Sequence, residues 1–128
     1  MIELTEAQYV MVKNYNDLLE TMEQGFEYTI ESFENMERTQ GDQILADVFT
    51  AFSQINETNE AMLDIFTEEK DVSTKIDNFK GVIAEIAKLE EVFDDQAARQ
   101  TIILNHIFPA FQAWKMAIQK ALKTYIQQ

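Results

Sequence analysis

The chain has 128 residues, 46% hydrophobic and 11% aromatic, and a net charge of −13 at pH 7; it is long enough to bury one real core and too acidic to suit nucleic-acid phosphates. It contains no cysteine, which excludes a disulfide framework, a thiolate metal site and a cysteine nucleophile. The amino-terminal MIELTEAQYVMVKNYNDLLE has no basic leader region, and the longest apolar run anywhere is the short IFPAF, so neither a signal peptide nor a transmembrane segment is expected and the location is read as cytoplasmic.

Three glycines and one proline leave little material for tight turns, and the apolar residues recur at steps of three and four, so the chain reads as all-α. Thr5 and Gln8 form the capping box of a first helix whose seam runs through Met11, Tyr15, Leu18, Met22, Phe26, Thr29, Phe33 and Met36. This helix is expected to continue to Arg38, roughly 50 Å in all, with Gly41 as its C-terminal cap and Asp42 opening the next. The second helix carries Leu45, Val48, Phe52, Ile55, Asn59, Met62 and Phe66. Asn59 is the one polar break in that seam; an edge position in contact with water is the expectation, with a register-setting role as the alternative.

After the polar stretch TEEKDVST, a third helix places Ile76, Phe79, Ile83, Ile86, Leu89 (or Glu90 on the flank) and Phe93 on one face. DDQAARQ then separates it from a fourth, whose seam is Leu104, Ile107, Phe111, Trp114, Ile118, Leu122 and Tyr125. Pro109 lacks an N–H and clashes with the preceding turn, so the fourth helix is expected to kink between Asn105 and Phe108. Four amphipathic helices with short connections predict a single domain over residues 1–128, an antiparallel up-down-up-down four-helix bundle.

Templates for chemistry find little to match. His106, the lone histidine, falls about 120° from the centre of the fourth helix's apolar face on a straight helix, at the bundle edge or in solvent, where a structural or neutral role is expected. No Glu-x-x-His pair exists for a di-iron site, and methionines such as Met11 and Met22 at helical spacing read as core fillers in preference to haem ligands. No glycine-rich phosphate loop or Gly-x-Ser-x-Gly elbow occurs. The doublets Glu68-Glu69, Glu90-Glu91 and Asp94-Asp95 are neighbours that do not face each other on a helix. No catalytic residue, metal ligand or cofactor site is therefore assigned, and the chain is read as not an enzyme.

The charge is unevenly laid out. Residues 1–95 hold all 23 acidic residues and six of the ten basic ones, whereas residues 96–128 hold Arg99, Lys115, Lys120, Lys123 and no acid. A cationic fourth helix beside three anionic ones lowers self-repulsion; alternatively it docks an acidic partner. On the first helix Glu20, Glu27, Glu31 and Glu34 share the sector opposite the seam, a solvated face or, as a sharper variant, a mimic of DNA phosphates.

The stretch ILNHIFPAFQAWKMAIQKAL, with its Pro-Ala-Phe-x-x-Trp centre, and the earlier LLETMEQGFEYTIESF resemble a small, functionally uncharacterised all-helical family of Firmicutes-type bacteria. The resemblance implies a bacterial setting and supplies no catalytic residues. Size and helicity also resemble flagellar and secretion chaperones at the level of architecture. The functional expectation is a non-catalytic protein-interaction module, adaptor or chaperone-like, that holds a partner helix beside its fourth helix through Phe108, Trp114, Lys115, Lys120 and Lys123. A small-molecule-binding or enzymatic bundle with an internal cavity and an acidic DNA mimic are the alternatives. The partner is expected to be a protein, with a homo-oligomer possible.

Overall fold

The computed structural model describes residues 2–34, 41–92 and 94–126; the expectations at Met36, Arg38 and Phe93 fall outside them. Helix α1, Glu6–Glu34, starts as its capping box dictates. Thr5 Oγ1 accepts from the Gln8 N–H at 3.1 Å and Gln8 Oε1 accepts from the Thr5 N–H at 3.0 Å, satisfying two donors that the helix would otherwise orphan. Val12, Tyr15, Leu19, Met22, Phe26 and Thr29 face the interior. Val12 and Leu19 thus take places assigned to Met11 and Leu18, which lie half-buried one position aside. The apolar arc of α1 is wider than one seam, and spacing alone does not choose between adjacent apolar residues.

Helix α2, Gly41–Ile65, begins at Gly41, which is therefore no cap of α1. All its expected interior residues are buried, together with Phe66 just beyond its end. The expectation of a water-exposed Asn59 is corrected: it is 7% exposed, and its Oδ1 accepts the Tyr15 hydroxyl at 2.6 Å.

The third rod is segmented into α3 (Lys70–Asp77), α4 (Phe79–Ala87) and a 3-10 turn over Lys88–Val92. Val72, Ile76, Phe79 and Val82 point inward, while Ile83 is 38% exposed. The break at Asn78 leaves the last carbonyls of α3 short of helical donors, and Trp114 Nε1–H supplies one, donating to the Lys75 carbonyl at 2.8 Å.

The fourth rod comprises α5 (Gln96–Ile102), a π-helical turn over Ile103–Ile107 and α6 (Phe108–Ile126). DDQAARQ is not simply a separator: the Asp95 carboxylate accepts from the Ala98 N–H at 3.1 Å and caps α5. The expected distortion near Pro109 takes the form of that π turn, in which the Phe108 N–H donates five residues back to Ile103. Pro109 then occupies the first turn of α6, where a missing N–H costs little. The wider turn advances the buried seam by one residue, so Ile103 is inside and Leu104 is 45% exposed.

Cross-rod pairs fix an antiparallel arrangement. Tyr15 meets Asn59 and Phe26 meets Phe52; Lys75 meets Trp114 and Glu85 lies beside His106; Phe26 meets Phe111 while Glu20 meets Lys115. The four rods enclose one core, at whose middle Phe52 has ring neighbours Phe26, Phe79 and Phe111 at 5.7, 5.8 and 5.6 Å. Among the described residues there is no strand and no helix long and apolar enough to cross a membrane.

Two outcomes follow from this packing. Phe52→Ala and Phe111→Ala should each lower unfolding free energy by about 3 to 5 kcal/mol in denaturant titrations, and circular dichroism of the wild type should show a helical, cooperatively melting domain. Tyr15→Phe leaves Asn59 Oδ1 buried without its donor and should cost about 1 to 3 kcal/mol. Burial also pushes the Tyr15 phenol up; its contribution to stability is full below about pH 10, the ordinary phenol value, and is lost as pH rises beyond it, because only the unfolded chain ionises freely. Alkaline melts should therefore be flatter in Tyr15→Phe than in the wild type.

Candidate functional site

The residues singled out near Pro109 are arranged for structure. His106 lies on the π turn with its side chain 47% exposed, Nδ1 3.7 Å from Glu85 Oε2, beyond hydrogen-bond reach. The same carboxylate oxygen lies 2.6 Å from Lys88 Nζ. No group of three or more His, Cys, Asp or Glu side chains that could hold a metal occurs among the described residues. The bundle-edge position expected of His106 is the one observed.

The candidate partner-binding residues of the fourth rod divide into two sets. Trp114 is 5% exposed, packed on Phe79 at 4.6 Å and tied to Lys75; it sits in the core as its place in the fourth seam predicts, and the exposure that a docking role needs is not there. The exposure expected of Lys115 is corrected. It is 6% exposed, and its ammonium lies 2.9 Å from Glu20 Oε1 and 3.6 Å from Glu23 Oε2. Gln119 Nε2 donates to the same Glu20 oxygen at 3.0 Å, and the hydrogen bonds from Lys115 and then Gln119 hold the Glu20 carboxyl below its usual range. The basic rod is thus stitched to the acidic α1 by at least one ion bridge, as internal compensation requires. Phe108 is half-buried against Phe26, ring centroids 5.3 Å apart. Only Lys120 and Lys123 of the five are exposed, beside Met116, which is 71% exposed. With two members buried and one half-buried, the five do not share one exposed face.

A more continuous apolar opening lies elsewhere, between α1 and α2. One cavity of about 410 Å³ is floored by Leu18, Met22, Ile44, Val48 and Ala51. A second, of about 550 Å³, continues it toward the amino-terminal end of α1 with Val10, Met11 and Ile55. Leu18 and Gln54 border both. Gly25 sets the spacing at one end, because a Cβ there would stand 2.7 Å from Val48 Cγ2, closer than carbon atoms pack. Val10 is 49% exposed, and Met11, Leu18 and Ile44 are half-buried, so these four offer accessible apolar surface above a floor whose Met22, Val48, Ala51 and Ile55 belong to the core. The sequence contained a signal for this groove in the doubled apolar pairs Val10-Met11 and Leu18-Leu19, which give α1 more apolar arc than one core can use.

The whole groove except Ala7 falls within the part of the chain that known proteins share. A family model described as "Domain of unknown function (DUF8042)" matches residues 10–117. The chain is also 25% identical over 118 residues to the uncharacterized protein YvzG of Bacillus subtilis (strain 168), covering 92% of this chain and 94% of that protein. No solved structure matches it. The small bacterial helical family suggested by the Pro-Ala-Phe-x-x-Trp stretch and the early Leu-Leu-Glu-Thr-Met stretch thereby receives its description: the chain belongs to the DUF8042 domain family.

Proposed function

We propose that the chain is a non-catalytic protein-interaction module that receives a helix of a partner protein in the groove between α1 and α2. The observation that carries this reading is the continuity of the groove: accessible apolar side chains extend from Val10 to Ile44 across two adjoining cavities, the form in which helical bundles accept amphipathic helices. The inward placement of Trp114 and Lys115 leaves less of the fourth rod open to a partner and favours the groove over it. The groove's polar lining is dispersed along its edges, as Asn14, Thr21, Thr50, Gln54 and Thr58, and does not converge on one point as a reacting centre needs.

The test is a substitution that fills the groove with charge without touching the core. Val10→Glu with Met11→Glu should melt within a few degrees of the wild type, since surface changes away from packing cost about 0.5 kcal/mol or less. The wild type should retain a specific protein from extract of the native host, and the purified partner should bind it again in isolation. The double variant should lose both. Equal binding of the purified partner by wild type and variant would place the docking surface elsewhere.

A further inference from the structure

The groove is bordered by two helices of one charge sign. Helix α1 carries seven acidic residues and a single basic one, Lys13, and α2 carries five acidic residues and none that is basic. Lys13 is already engaged, its ammonium 3.2 Å from Asp17 Oδ1. The charged side chains that line the two cavities are Asp47 and Glu57, both exposed. The cavities' apolar floor carries a charged rim of Asp47 and Glu57, whereas Lys115 of the fourth rod is turned to Glu20 and Glu23 on the side of α1 away from the groove.

We infer that the occupant of this groove is a basic amphipathic helix, apolar on one face and rich in lysine or arginine on its flanks. The inference rests on the interaction-module reading and adds the chemistry of the partner. The lining residues of α1 run from Ala7 to Gly25, a length of roughly 27 Å that suits a ligand helix of about 18 residues. Its apolar residues at steps of three and four meet Met11, Leu18 and Ile44, while its flanking cations meet Asp47 and Glu57. Complementarity of this kind raises association rate and excludes the wrong charge type. An acidic helix of the same apolar face encounters repulsion from both walls.

The experiment uses the full chain and two synthetic 18-residue helical peptides with identical leucine faces, one with lysine and the other with glutamate on the polar face, in fluorescence anisotropy titrations. The lysine peptide should bind about tenfold or more tighter than the glutamate peptide at low salt, with the margin narrowing as ionic strength rises. Asp47→Lys with Glu57→Lys should weaken lysine-peptide binding about tenfold. Glu27→Lys with Glu34→Lys makes the same charge change about 180° around α1 from the groove and should weaken it far less. Equal weakening by the two pairs would mean general attraction to an acidic protein and overturn the inference. Preference for the glutamate peptide, abolished by Val10→Glu with Met11→Glu, would overturn the charge assignment and leave the groove reading standing. If neither peptide responds to Val10→Glu with Met11→Glu, the groove reading itself fails. Self-association of the chain that is lost in Lys120→Glu with Lys123→Glu and in Val10→Glu with Met11→Glu alike would identify the occupant as the fourth rod of a second copy and contradict a separate partner.

Discussion

The fold depends on the meeting of four aromatic rings, one from each rod, around Phe52. Phe26, Phe79 and Phe111 each lie within 6 Å of it, centroid to centroid, and all four rings are at most 3% exposed. Such contacts contribute about 0.5 to 1.5 kcal/mol each beyond their burial, but their larger effect is geometric. Rigid rings in van der Waals contact fix the separation and rotation of all four rods at one level, and the polar contacts above and below can form only because that level is fixed. On one side Tyr15 reaches Asn59, Trp114 reaches the Lys75 carbonyl and Lys115 reaches Glu20. On the other, the π turn brings Ile103 and Ile107 into the core.

The charge layout takes its meaning from the same arrangement. A helix bundle with a net charge of −13 repels itself, and a rod free of acids beside α1 relieves part of that. The buried ammonium of Lys115 is stabilised by two carboxylates, while Glu20 remains half-exposed, so the pair closes one flank of α1 and not the other. Among the described residues, the flank toward α2 has Asp47 and Glu57 as its charged lining and leaves Val10, Met11, Leu18 and Ile44 partly open. Function is sought there because it is the part of the apolar arc that folding leaves unused.

Most of the fold was legible in the sequence because each rod repeats its apolar residues with the period of a helix. The second seam matched at every apolar position, and the Thr5-Gln8 cap formed as expected. Three features were not legible, each for a definite reason. Choosing Val12 over Met11 and Leu19 over Leu18 needs the position of neighbouring rods, since both members of each pair are apolar. Asn59 reads as a flaw in a seam until Tyr15, 44 positions away, supplies its donor; a buried polar residue announces itself only through its partner. The shift from Leu104 to Ile103 arises from one extra residue in a π turn, which spacing rules with a fixed period do not represent. The candidate site was read less well. A kink at Pro109 suggests one groove shared by Trp114 and the lysines, yet Trp114 and Lys115 turn inward while Lys120 and Lys123 are exposed.

The proposed docking groove lies apart from the core that holds the rods together, and the methionines report on both. Met11 and Met22 line the groove, Met62 is fully buried, and Met116 is 71% exposed on the fourth rod. Selective labelling of methionine methyl groups, followed by NMR titration with the protein captured from the native host, reads each surface at once. Docking in the groove predicts a large shift at Met11 and a smaller one at Met22, which is 2% exposed beneath it, with Met62 and Met116 nearly unmoved. A large shift at Met116 with Met11 unchanged would contradict it, returning the docking surface to the fourth rod.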